Sequence, residues 1–149
     1  LAALRALERG REPAPAHRER FARPEPRIAV GRWLAARGAH AAVDVSDGLL
    51  ADLAHVAAAS GVAIRVELDR VPRASGVDAA DAAHGGEEYE LAAAVPDGFD
   101  VAACERETGV PLTEVGRVTA VAPGAPPGVE AYRGVSRVDL PRGYDHFSS

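Results

Sequence analysis

Apolar positions along the chain switch repeatedly between the three-to-four spacing of amphipathic helices and the alternation of half-buried strands. "LAALRALERG" has helical spacing and a closing glycine, and predicts a short helix. "REPAPAHRERFARPEPR" then sets Pro13, Pro15, Pro24 and Pro26 among charges, which predicts an extended, semi-rigid linker. "PRIAVGRWLAARGA" places Ile28, Trp33 and Leu34 on one face of a helix closing at Gly38. "HAAVDV" is a short apolar strand ending at Asp44. "GLLADLAHVAAASG" is a helix whose buried stripe is Leu49, Leu50, Leu53, Val56 and Ala57, stopped by Ser60 and Gly61.

"VAIRVEL" alternates with period two, as a half-buried strand does. "DRVPRASGVDAADAAHGG" reads as a loop, an alanine-rich helix and a turn. "YELAAAVP" is a strand bracketed by Gly85-Gly86 and Pro96, and "GFDVAACERETG" is a helix carrying Val101, Ala102 and Cys104. "LTEVGRVTAV", "VEAYRG" and "SRVDL" are strands, and "PRGYDHFSS" is a tail. Strands and helices alternate, with hairpin-like spacing near the end. The expected fold class is α+β: a mixed β-sheet with packed helices.

Composition narrows the chemistry. At 149 residues and 47% hydrophobic the chain can bury a core, and its net charge of −5 argues against a basic nucleic-acid face. The single cysteine, Cys104, leaves no intrachain disulfide and makes a cytoplasmic setting the expectation. All 17 basic side chains are arginine. Mechanisms that need a phosphate-binding lysine, a Schiff base or a lysine base are therefore excluded within this chain. Phosphate handling would rest on arginine, backbone amides or metal.

Two stretches could carry chemistry. In "AVDVSDGLLADL", residues 42–53, Asp44 ends a strand and Asp47 adjoins the start of the next helix. Helix N-termini favour anions, and hard cations such as Mg²⁺ bridge carboxylates to substrate phosphates. Ser46 could cap the helix or donate to a phosphate, and Gly48 would let a ligand approach the backbone. Helix capping by Ser46 and Asp47 is the plainer alternative, but it leaves Asp44 unexplained. In "HGGEEYEL", residues 84–91, two glycines precede two glutamates, as in a solvated hairpin turn or a carboxylate-bearing loop. If that turn lies beside Asp44 and Asp47, at least three carboxylates gather, a cluster that is costly without cations to neutralise it. His55, three residues after Asp52, has possible ligand spacing but reads better as a surface histidine; His84 and His146 carry no stronger signal. Cys104 and Trp33 read as core residues.

The stretches "DVSDGLLADLAHVAAASGVAIRVELDRVP", "GGEEYEL" and "GYDHF" together resemble the thiamine-monophosphate kinases, relatives of aminoimidazole ribonucleotide synthetase. "RPEPRIAVGRWLA" resembles the segment leading into that family's C-terminal domain. The resemblance implies transfer of the γ-phosphoryl group of ATP to thiamine monophosphate, with ATP as co-substrate and Mg²⁺ as cofactor. It implies Mg²⁺ binding at Asp44 and Asp47, ATP contact at Ser46 and substrate contact at Glu87. It implies no protein nucleophile. Two positions depart from the family: Glu88 stands where aspartate is usual, and Pro141 aligns with an aromatic substrate contact.

The resemblance further implies that residues 1–26 are a helix end and interdomain linker, and 27–149 a C-terminal domain like that of aminoimidazole ribonucleotide synthetase. An N-terminal ATP-binding and dimerisation domain would then lie outside this chain, which alone would be inactive, while the full-length protein would be a homodimer. The alternatives are another ATP-using member of the same superfamily, or a non-catalytic interaction module.

Overall fold

The structure, a computed structural model, describes residues 2–86 and 88–139. Helix α1 (Ala2–Glu8) opens the chain, followed by α2 (Pro15–Ala22) and α3 (Ile28–Ala36). The helix α2 departs from the extended path expected of the proline-rich stretch. Pro15 occupies its first turn, where no intrahelical N–H is needed, and the next seven residues contain no proline. Charge ties both early helices to the body: Arg5 pairs with Asp81 at 2.9 Å, and Arg20 with Glu90.

Strand β1 (Ala41–Asp44) pairs antiparallel with β3 (Leu91–Ala94) in a two-stranded ribbon, with Asp44 opposite Leu91. Helix α4 (Leu49–Ser60) leads into β2 (Val62–Glu67), and Gly61 ends the helix in the left-handed conformation. Helices α5 (Ala79–His84) and α6 (Val101–Thr108) flank β3 in sequence. Strands β4 (Gly116–Ala120), β5 (Gly128–Arg133) and β6 (Ser136–Val138) complete a second sheet, in the order β4-β2-β5-β6. Among the described residues only the β2–β5 pairing is parallel. The α+β class with mixed pairing is as expected, divided between two sheets.

The core has two parts. Val30, Trp33 and Leu34 of α3 pack with Ala103 and Cys104 of α6 and with Leu91 of β3. Trp33 meets Phe99 edge-on at 5.5 Å and donates to Glu107 Oε2 at 3.2 Å. Ile28, expected on this face, is 62% exposed, because Val30 lies on the buried side with Trp33 and Leu34. The second part joins Ala57, Ile64, Val66 and Val71, with Leu49, Leu50 and Leu53 of α4 against them; Leu68, Ala79, Ala83 and Ala131 continue it under α5. Cys104 is buried, as expected.

Two stability measurements follow. Leu34→Ala, at a fully buried position, costs about 2–5 kcal/mol in chemical denaturation, while Ile28→Ala stays within about 0.5 kcal/mol of wild type. Asp100 caps α6 through the Ala103 amide, and its bond from Arg106, followed by that cap, lowers its pKa. A carboxylate depressed in the folded state stabilises above its unfolded pKa and loses that contribution as pH falls through the folded value. Asp100→Ala should therefore lower Tm at neutral pH, with the deficit vanishing in acid.

Candidate active site

Asp44 is exposed at the last position of β1, and the pairing with the other strand continues one residue past it. The Val45 amide donates to the Glu90 carbonyl at 2.8 Å, and the Tyr89 amide to the Val45 carbonyl at 2.9 Å. Residues 44–45 and 89–91, far apart in sequence, thus run side by side. A second contact lies one turn away. A Cβ built on Gly48 would fall 2.6 Å from the His84 carbonyl oxygen, and one on Gly86 would fall 2.4 Å from the Ser46 carbonyl oxygen. Gly48 also has φ +116°, a conformation L side chains rarely adopt. The end of α5 lies against the side of its backbone that a Cβ would occupy.

Gly48 is also the N-cap of α4, and no side chain among the described residues caps this helix. The capping role that sequence left open for Ser46 and Asp47 is therefore not realised. Ser46 Oγ instead donates to Asp47 Oδ1 at 3.4 Å. The direction of capping is reversed: Asp52, on the first turn of α4 and 4% exposed, receives the Ser46 amide at 3.0 Å and the Asp47 amide at 3.1 Å on its Oδ2. Asp52 was visible in sequence only as a neighbour of His55, which is exposed and not brought to the site. The signal that could have found it is an aspartate at the edge of the apolar stripe of Leu49, Leu53 and Val56.

Glu90 was also missed. Arg27 grips it with Nε on Oε2 and Nη2 on Oε1, both at 2.9 Å, and Arg20 bonds both Glu90 and the Glu88 carbonyl. The Glu90 bond is the main cause that raises the Arg27 pKa above its ordinary value. Between the two glutamates Tyr89 takes φ +51°, a left-handed conformation unusual for a non-glycine residue and typical of positions that a surrounding network over-determines. No local pattern marks Glu90, because its arginine partners lie 63 and 70 residues away.

Asp47 is half-buried, and neither it nor Asp44 is ion-paired among the described residues. In a chain rich in arginine that vacancy of counter-charge suits a divalent cation, whose preferred ligands are carboxylate oxygens. Among the described residues no group of three or more potential ligands gathers, so the anticipated three-carboxylate cluster is not found there. Two carboxylates leave the remaining positions of a hard cation to phosphate oxygens and water. Glu87, Pro141 and His146 lie outside the described residues. A cavity of about 400 Å³ between α1 and α2, lined by Leu7, Pro13 and Phe21, includes none of the candidate residues.

Several known proteins share much of this sequence and fold. A thiamine-monophosphate kinase of Methanopyrus kandleri is 44% identical over 127 residues, which cover 78% of this chain and 39% of that protein. One from Salmonella typhimurium is 38% identical over 144 residues, covering 88% and 42%. The crystal structure of a thiamine-monophosphate kinase from Stenotrophomonas maltophilia superposes with a TM-score of 0.74 at 38% identity, covering 87% of this chain and 45% of the other. "AaThiL complexed with AMPPCP and TMP" superposes with a TM-score of 0.73 at 30% identity, covering 98% and 47%. The chain thus spans less than half the length of each of these relatives. Its residues 1–125 match the family described as AIR synthase related protein, C-terminal domain, and to that family the chain belongs.

Proposed function

We propose that the full-length protein containing this domain is an ATP-dependent thiamine-monophosphate kinase. The observation that carries the reading is the apposition of the two motif loops, with Asp44 and Asp47 at the seam and without an ion-pair partner among the described residues. The relatives bearing that name, one of them a structure complexed with AMPPCP (an ATP analogue) and TMP, supply the substrate classes.

In the proposed reaction a phosphate oxygen of thiamine monophosphate forms a bond to the γ-phosphorus of ATP while the bond to the ADP oxygen breaks. Direct transfer needs no protein nucleophile, and its main requirements are position and charge neutralisation. Mg²⁺ held by Asp44 and Asp47 would supply positive charge between the two phosphates. Ser46 is assigned to ATP, Glu87 to the thiamine substrate, and the Pro141 position to a further substrate contact. In the same proposal an N-terminal domain of the full-length protein completes the ATP site, and the protein works as a cytoplasmic homodimer.

In the full-length protein, Asp44→Asn and Asp47→Asn should each lower kcat for thiamine diphosphate formation by about a hundredfold or more. Wild-type turnover in both variants would overturn the reading. Gly86→Ala, which must push the two loops apart, should reduce turnover by about tenfold or more, checked in the same assay. The 149 residues alone should show almost no turnover; robust synthesis by this chain would remove the need for a second domain.

A further inference from the structure

Asp44 and Asp47 are held by different devices. Asp44 belongs to the β1–β3 ladder, whose hydrogen bonds fix its backbone directly. Asp47 lies beyond the ladder, in a loop outside any regular element. Its amide is fixed by the Asp52 carboxylate, which takes the Ser46 amide as well. Successive backbone amides converging on one anion form a nest, and here the anion is part of the protein. Asp52 is itself anchored: its own amide donates to the Gly48 carbonyl at 3.0 Å, and Leu49, Leu50 and Leu53 on the same helix pack into the core around Ile64 and Val66.

We propose that Asp52 is a positioning residue for the cation site, transmitting the rigidity of α4 to Asp47 and Ser46 through their backbone amides. The inference rests on the proposed role of Asp47 as a metal ligand and extends it to the residue that orients that ligand. What matters in this role is a hydrogen-bond acceptor at that reach, and asparagine supplies one while alanine does not. Outer partners that orient metal ligands typically change affinity by about 10–100-fold when removed.

The test uses the full-length protein with AMPPCP and Mn²⁺, following bound Mn²⁺ by electron paramagnetic resonance beside thermal unfolding. Asp52→Ala should weaken Mn²⁺ binding by about tenfold or more, and Asp52→Asn should stay within about threefold of wild type. Rescue by asparagine separates positioning from a need for the charge: equal losses in both variants overturn the proposal. Hydrogen exchange on the wild-type protein needs no variant and holds even if Asp52→Ala fails to fold. The Ser46 and Asp47 amides should exchange at least about tenfold more slowly than unstructured peptide, and unprotected amides there would overturn the proposal. Mn²⁺ binding that is lost in Asp47→Asn but unchanged in a folded Asp52→Ala sinks the positioning role alone. Mn²⁺ binding unaffected by Asp47→Asn sinks the metal-ligand reading and this inference with it.

Discussion

Two backbones meet where a single added methyl group would not fit. The Ser46–Gly48 loop and the end of α5 touch through Gly48 and Gly86, and the carbonyl oxygens of His84 and Ser46 occupy the space that side chains would take. Everything at the candidate site follows from that approach. It brings the ends of two motifs together and leaves two carboxylates beside the junction that have no arginine partner among the described residues. The glycines are thus structural conditions for the site, and the acidic residues are what the site presents.

Around this contact the protein places fixed charge on each side. Asp52 serves one loop, and Arg20 and Arg27, gripping Glu90, serve the other. The loop 45–48 also joins the part of the core built on α3 and α6 to the part built on α4 and the four-stranded sheet, since β1 pairs with β3 and α4 packs on β2. The candidate site therefore sits where the chain passes from one packed region to the other, and its geometry reports on both.

Much of this was legible in sequence because it was local. The strand ending at Asp44 and the helix ending at Ser60 coincide with their expected limits, since a short apolar run and a glycine stop are local signals. What escaped was set by distant or rotational facts. Helix α2 formed because proline at a first turn is harmless, although proline density suggested otherwise. Ile28 is exposed because the face is set by the partners of α3, which sequence does not show. Asp52 was hidden among leucines as an exception to their pattern, and Glu90 could not be singled out before its arginines were known. The motif residues were readable by resemblance, but the devices that hold them were not.

The strand order carries a consequence for biosynthesis. Strand β2 sits inside its sheet between β4 and β5, both of which leave the ribosome after it, and β5 joins it in parallel at a long sequence separation. Helix α4, which anchors the Asp52 grip, packs against β2 and β5. A nascent polypeptide that has emerged only as far as "GGEEYEL" already displays both acidic loops, yet lacks the floor on which one of them rests. Productive geometry at these upstream motifs would therefore wait for translation of β4 and β5, so a truncation near residue 128 would impair a site more than eighty positions upstream.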